Sequence, residues 1–331
     1  FRASRVDGTC LLVRHLSIAR AHVLRDDQTD RCEGCCQQTN GNHPDSRQLP
    51  PTAYVSTMPL LDQPEVLLTT AAVTLIAMLL LWLTSLTRRD ASIVDPYWGP
   101  GFVLVTVTAL LIGSDFEPRG ALMTIMVGVW GLRLGLHLLV RNFHEGEDRR
   151  YRSMRDHWGS SFWWVSLFTV FLLQGSLMWI ISLPIQAVAT GVGPEGWTLV
   201  DLLGIFLFII GFLFEAVGDW QLQRFKADPA TAGQVLDRGL WRYTRHPNYF
   251  GDALIWWGIF IVATLTPGGL LLVFSPILMT FLLLKVSGVV LLESDITERR
   301  PAYRHYVERT SAFFPWLPKT RATSPETESQ P

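Results

Sequence analysis

A chain of 331 residues would accommodate two soluble domains, but 49% of its residues are hydrophobic, 13 are Trp, and the mean hydropathy is positive. That composition points to a polytopic membrane protein rather than a soluble enzyme. A formal net charge of -1 leaves no basic footprint for a nucleic-acid partner.

Residues 1–57 differ from the rest of the chain: they are polar, lack Lys, Trp and Met, and show no sustained periodicity. Their one apolar patch, at 10–13, is too short for a signal peptide. The first Met is Met58, so 1–57 is expected to be a disordered extension or an upstream translation artefact. Cys10, Cys32, Cys35 and Cys36 all lie there. The Cys32-Glu33-Gly34-Cys35-Cys36 cluster has no second Cys pair, so no metal site is expected.

From Met58 onward, apolar runs predict about seven membrane-spanning helices, at 66–86, 98–113, 121–140, 162–188, 199–220, 249–265 and 269–292. Basic residues alternate between the connecting segments. Arg88 and Arg89, the group from Arg141 to Arg155, the group from Arg224 to Arg245, and the group from Arg299 to Lys319 follow the odd-numbered spans. The other connections hold only Arg119. The positive-inside rule then places the N-terminus outside and the C-terminus in the cytoplasm. The expected organisation is one membrane domain over 58–320, with a disordered tail at 321–331.

Ionisable residues inside or at the ends of these spans are costly unless paired or facing a wet cavity. They are Asp95, Arg133, His137, Glu215, Asp219, Asp252, Lys285 and Glu293. The acids gather at the cytoplasmic ends, which describes a polar crevice open to that side. Gln174 is cheaper to bury and reads as helix–helix glue. With the charge on one side, no internal repeat and no paired broken helices, a transporter or channel fits poorly.

The densest stretch is 239–252, GLWRYTRHPNYFGD, which sets Arg242, Arg245, His246, Asn248 and Asp252 among Trp241, Tyr243 and Tyr249. Pro247 biases His246 away from the helical region, so a basic loop should run into a helix starting near Asn248. A helix N-terminus beside two guanidiniums suits phosphate, and flat aromatic rings suit a purine or nicotinamide. Attraction to anionic lipid would need only Lys and Arg.

Several ordered motifs resemble the bacterial branch of the steroid 5α-reductase family. They are SIVDPYWG at 92–99, GEDRRY at 146–151, GDWQLQRFK at 218–226, and GLWRYTRHPNYFGD with the nearby WWG. SGVVLLES at 287–294, the Tyr303 and Tyr306 pair, and FFPWLP at 313–318 complete the set. The resemblance implies a seven-span helical fold in a bacterial inner membrane, and NADPH-dependent reduction of a carbon–carbon double bond conjugated to a ketone. Its substrate would be a lipophilic steroid enone, and no obligate protein partner is implied. Within a cofactor half at about 199–318, Asn248 would hold the nicotinamide carboxamide. Asp219, Lys226, Trp241, Arg242, Arg245, His246, Tyr249, Asp252, Glu293 and Tyr303 would line the cofactor. Asp95, beside Pro96, matches a Glu that works with a Tyr at the steroid ketone in the animal enzymes. The third span here contains no Tyr, which leaves Tyr97 and Tyr151 as candidates for that partner.

Hydride transfer to an enone places negative charge on the ketone oxygen, which calls for a positioned donor and then a proton. A buried, protonated Asp95 hydrogen-bonded to a Tyr would serve. Two alternatives remain open at this level. One is an S-adenosylmethionine-dependent membrane methyltransferase of the isoprenylcysteine or phospholipid type, which shares the RHPxYxG pattern. The other is a non-catalytic sterol-binding membrane protein.

Overall fold

The computed structural model describes residues 57–113, 117–142, 146–286 and 301–319, which are helical apart from turns and one isolated bridge, Thr244 to Ser311. The helices are α1 (Pro59–Asp62), α2 (Pro64–Arg88), α3 (Val94–Ile112), α4 (Pro118–Asn142), α5 (Arg149–Trp158), α6 (Phe162–Ser166), α7 (Leu173–Ile181), α8 (Leu183–Val188), α9 (Leu199–Ala227), α10 (Pro247–Ala263), α11 (Phe274–Phe281) and α12 (Pro301–Arg309). Among the described residues, five stretches are long and apolar enough to cross a membrane: Pro64–Arg88, Ala91–Ile112, Pro118–Asn142, Arg149–Ile181 and Leu199–Ala227. The described part is therefore all-helical, with the apolar helices of a membrane protein. The expected sixth span, α10, has 17 residues. That is about 25 Å of helix against a hydrocarbon core of about 30 Å. The expected seventh begins as the short apolar stretch Gly269–Lys285, and its continuation to 292 lies outside the described residues. So do most of the 1–57 extension, its cysteines included, and the 321–331 tail.

Several boundaries differ from the sequence expectation. The second span starts early, because Asp90 accepts from Ser92 N at 2.8 Å and caps a 3₁₀ turn, Ala91–Ile93, that runs straight into α3. Asp95 and Tyr97 therefore sit in the first turns of a helix. The fourth span is not one rod. It passes through α6, a π turn at Leu167–Leu172 and α7, then breaks at Ser182 before α8. Pro184 explains the break, since its ring lacks an N–H and cannot continue the ladder of the preceding turn. The fifth helix runs on to Ala227, and Asp228, preceding Pro229, ends it in extended geometry. Its other end carries a capping box, Thr198 with Asp201, and Asp201 is held by Arg119 Nε at 2.9 Å.

The core is an aromatic knot joining α3, α4 and α10. Phe102, Trp130 and Trp256 are fully buried, with ring centroids 4.6 to 5.7 Å apart. Beside it α9 and α10 meet along glycines. A Cβ on Gly211 would lie 2.6 Å from the Gly251 carbonyl oxygen, and one on Gly251 would lie 2.5 Å from that of Gly211. In lipid, where burial of apolar area does not drive association, such close backbone approach supplies the packing. The same approach carries Asn248, at the start of α10, up against the end of α9. Gly211→Ala is expected to lower thermal stability in detergent, measured by tryptophan fluorescence, by about 1–3 kcal/mol of overpacking. Gly128→Ala, where a Cβ meets nothing within 4 Å, should leave it unchanged. Equal melting of both variants would show that the glycine seam does not set the stability.

Candidate functional site

A cavity of about 580 Å³ lies between α3, α4, the start of α5, the α6–α7 segment, α9, α10 and the α11 segment. Its polar wall has two parts, one built by the α3–α5 side and the other by the α9–α10 pair.

The first part is assembled by a loop that docks onto the start of α3. Glu147 Oε1 accepts the Ala91 N–H at 2.9 Å, and the Asp148 N–H reaches Ser92 Oγ at 3.3 Å. Arg155 clasps Glu147 from α5 through Nε at 3.0 Å and Nη2 at 2.7 Å. Asp148 caps α5 by accepting from Arg150 N at 2.9 Å. The chain thereby delivers Arg150 and Tyr151 to Asp95. The Tyr151 hydroxyl donates to Asp95 Oδ1 at 2.7 Å, and Arg150 Nη2 donates to Asp95 Oδ2 at 2.7 Å. Gln174 Nε2, from α7, donates to the Tyr151 hydroxyl at 3.2 Å. Of the two candidate tyrosines, Tyr151 meets Asp95. Tyr97 is half-buried, packs near Gly101 and is not part of the cavity wall.

Glu147 makes this docking sensitive to acid. Burial alone would raise its carboxyl, but the hydrogen bonds from Arg155 and the Ala91 N–H outweigh burial and hold it below the usual value. A carboxylate lowered in the folded state stabilises above its unfolded pKa, near ~4.3, and loses that contribution as pH falls through its folded value. Stability should therefore decline below about pH 4, and Glu147→Gln should flatten that limb when Tm is followed against pH. An unchanged acid limb in the variant would show that the docking does not rest on this charge.

The second part is a buried acidic group around one guanidinium. Arg133 Nη1 donates to Asp219 Oδ2 at 2.9 Å, and its Nη2 donates to Glu215 Oε1. Trp130 Nε1 donates to Glu215 Oε2 at 3.0 Å. Asn248 Nδ2 donates to Asp219 Oδ1 at 3.0 Å, and His137 Nε2 stands 3.7 Å from Asp219 Oδ2. Asp252 lies one turn along α10 from Asn248 and is 8% exposed. Its Oδ1 has no hydrogen-bond partner among the described residues.

The 239–252 stretch divides in two. Asn248, Tyr249 and Asp252 line the cavity with Asp219 and Lys226, and Tyr249 stacks on the buried His246 ring at 5.6 Å. The earlier half instead clamps the C-terminal segment. Trp241 is buried and donates from Nε1 to the Gly218 carbonyl at 3.1 Å, while its own carbonyl accepts from the Tyr306 hydroxyl. Arg245 Nη1 donates to the Val307 carbonyl at 3.0 Å, and Thr244 Oγ1 to that of Phe313 at 2.8 Å. Tyr303 packs edge-on against Tyr306 at 5.4 Å. Arg242 is exposed, and the structure brings neither Arg242 nor Arg245 to the cavity wall. Glu293 lies outside the described residues.

Sequence reasoning missed Arg150 as the partner of Asp95, Trp130 as the donor to Glu215, and Gln174 as the donor to Tyr151. The position of Arg150 beside Tyr151 in GEDRRY was the one available signal for the first.

Residues 81–310 match the family described as "Protein of unknown function (DUF1295)". "Uncharacterized protein C594.04c" of Schizosaccharomyces pombe is 23% identical to the chain over 269 residues, covering 72% of this chain and 76% of that protein. No solved structure matches the chain. The family match runs from before Asp95 to beyond Asp252 and so takes in both polar parts of the cavity wall. The chain belongs to the DUF1295 family.

Proposed function

We propose that the protein is a membrane-embedded NADPH-dependent reductase of a carbon–carbon double bond conjugated to a ketone, and that 3-oxo-4-ene steroids are its model substrates. The observation that carries this reading is the sharing of one cavity by two unlike polar groups, Asp95 with Tyr151 and Asn248 with Asp219. The first suits a ketone oxygen and the second a cofactor amide. The motif resemblance to the steroid 5α-reductase family points the same way. With it come a bacterial inner membrane, seven spans and a cytoplasmic C-terminus, the last two agreeing with the alternation of loop charge.

The residues present fit NADPH. The cavity volume of about 580 Å³ falls within the roughly 300–1,000 Å³ usual for small-molecule sites. Asp252 Oδ1 is a buried acceptor and Trp256 Nε1, one turn along α10, an equally unpartnered buried donor, so either that indole or a carboxamide can satisfy Asp252. Arg141 and Lys226, both exposed on the cavity rim, could meet the phosphates. Bound there, NADPH would supply the hydride.

The remaining steps belong to the chain. Tyr151 is the donor best placed to hold the ketone oxygen and deliver a proton to it. Arg150 already occupies one oxygen of Asp95, so the carboxylate holds the phenol in place. With substrate bound, the single hydroxyl proton that here goes to Asp95 would turn to the ketone oxygen and pass to it, and solvent at the charged rim would restore it. This moves the acid role from Asp95 to Tyr151. Asn248, fixed by Asp219, would hold the cofactor amide. The apolar wall around Leu134 and Leu177 excludes water.

The test is calorimetric titration of detergent-purified protein with NADPH and with S-adenosylmethionine, followed by NADPH oxidation on progesterone. NADPH binding with reduction of the steroid is the expected result. Binding of S-adenosylmethionine alone would replace the reductase with a methyltransferase. Binding of neither would favour a sterol-binding protein.

A further inference from the structure

The FFPWLP stretch stands out in the sequence, as do Arg242 and Tyr243, yet none of these residues lines the cavity. Backbone pairing brings them together. The Arg245 N–H donates to the Ser311 carbonyl at 2.9 Å, and the Trp316 N–H to the Tyr243 carbonyl at 2.9 Å. The turn that leads into α10 is thereby zipped along the segment that follows α12. Phe313 is buried in this join, but Phe314, Trp316 and Leu317 are 67%, 74% and 73% exposed. Such a row of large apolar side chains calls for a partner.

The depth of the row follows from α9. The outward face of α9 carries Phe206, Ile209 and Leu213, all at least half exposed, and 202–214 holds no ionisable residue. That face therefore meets hydrocarbon. Trp220 is exposed, and the Arg224 guanidinium lies over its ring at 5.6 Å, so this pair marks the headgroup level. Phe214 stands six residues to the hydrocarbon side of Trp220, about 9 Å of helix. Phe250 reaches the same depth, because the glycine seam sets Gly251 against Gly211 and the Glu215 N–H. The Phe214 and Phe250 rings meet edge-on at 5.2 Å, and Phe250 meets Phe313 at 5.9 Å and Phe314 at 6.2 Å. After α12 the chain thus returns to a level on the bilayer side of Trp220.

The flanks of the row are cationic. Arg242 precedes Tyr243 and Lys319 follows Pro318, both are exposed, and neither 238–246 nor 310–319 contains an acid. Arg309, whose carbonyl accepts the Lys319 N–H at 3.0 Å, is already paired with Asp237 at 2.8 Å.

We propose that 313–319 is an interfacial anchor that docks on anionic phospholipid. Phe314, Trp316 and Leu317 enter the acyl border of the leaflet at the Trp220 end of α9, and Arg242 and Lys319 meet the lipid phosphates. Continuity with the lipid-facing side of α9 and the flanking cations favour a lipid surface over a protein. The anchor also serves the cavity, since Thr244 and Arg245, which hold the segment, lead directly into His246 and the first turn of α10 that carries Asn248. It does not depend on which reaction the protein catalyses.

The test uses the full chain with Cys10, Cys32, Cys35 and Cys36 changed to Ser, in nanodiscs of equal parts phosphatidylcholine and phosphatidylglycerol. A nitroxide on Leu317→Cys should collide with oxygen in preference to a water-soluble nickel chelate. A nitroxide on Ala232→Cys, in the exposed turn beyond α9, should show the reverse. Nickel preference at Leu317→Cys overturns the anchor. Shielding from both reagents overturns it too, by assigning the row to a protein partner or a second copy. Each basic residue near an anionic surface strengthens binding by about fivefold. The oxygen-to-nickel ratio at Leu317→Cys should therefore be lower in phosphatidylcholine alone. Arg242→Gln combined with Lys319→Gln should lower it to the same value in the mixed lipid. A double variant that keeps the parent ratio there overturns the role of the two cations.

Discussion

Tyr151→Phe should abolish enone reduction, lowering kcat by about 10²–10⁴-fold, the range for losing a positioned general acid. The dissociation constant for NADPH should stay unchanged, because Tyr151 sits on the α5 side of the cavity and the amide-binding group on the α9–α10 side. The substitution removes one oxygen and leaves the ring, so the packing of this buried side chain survives. Asp95→Asn separates orientation from proton supply. An amide keeps the shape and can still accept from the phenol, but it gives up the ion pair with Arg150. Its expected loss is smaller than that of Tyr151→Phe and falls on kcat. Tyr97→Phe should have no effect, since Tyr97 lies off the wall. Stopped-flow oxidation of NADPH with progesterone, together with NADPH titration of each variant, reads all three. A dead Tyr97→Phe beside an active Tyr151→Phe would move the acid to the other tyrosine. Near-normal turnover in both tyrosine variants would return it to Asp95.

The features legible in the sequence are those set by local chemistry. Apolar runs mark helices because membrane-spanning backbone must satisfy its own hydrogen bonds, and Pro247 marks the start of α10 because it forces His246 out of the helical region. The Asp95 candidate was legible too, as an acid in an otherwise apolar run beside Pro96. What stayed hidden was pairing over distance. Arg150 reaches Asp95 across 55 positions, and Arg133 reaches Asp219 across 86. Nothing in either segment records the other. The π turn at Leu167–Leu172 was hidden for another reason, since a shift from i+4 to i+5 bonding leaves no mark on composition.

The 239–252 stretch shows why motif density misleads about individual roles. Its arginines read as a phosphate seat because two guanidiniums stand near a helix N-terminus. In the fold, Arg245 is buried and spends its donors on carbonyls at the end of α12. A guanidinium has five donors and tolerates burial when they are satisfied, so it serves as a structural rivet as readily as an anion site. Only the three-dimensional arrangement separates the two uses, and the cations it leaves on the cavity wall outside the Asp95 and Asp219 groups are Arg141 and Lys226, which lie in different helices.

Arg133→Ala should be the most destabilising single change in the described part of the chain. Arg133 is the guanidinium that bridges Glu215 and Asp219, whose side chains are only 4% and 9% exposed. Removing it leaves two carboxylates in a low-dielectric site with Asp252 close behind them. Truncating one partner of a buried pair in this way costs about 3–5 kcal/mol. On the scale of soluble domains of similar size that is a fall in Tm of at least about 6 °C. The loss should come from stranded charge rather than from lost packing, and a second variant distinguishes them. Arg133→Ala combined with Glu215→Gln removes one of the stranded charges and should recover part of the stability. Trp130 can still donate to the remaining amide oxygen in that variant. Arg133→Lys keeps the charge but not the fork that spans two acids, so it should fall between wild type and Ala. Tm values for the four proteins in one detergent decide the matter. If Arg133→Ala melts with wild type, water reaches the acids and the group is a solvated lining of the cavity. If the double variant is no better than Arg133→Ala, the side chain acts through its contact with Phe212, over whose ring it lies at 5.9 Å, and not through its charge.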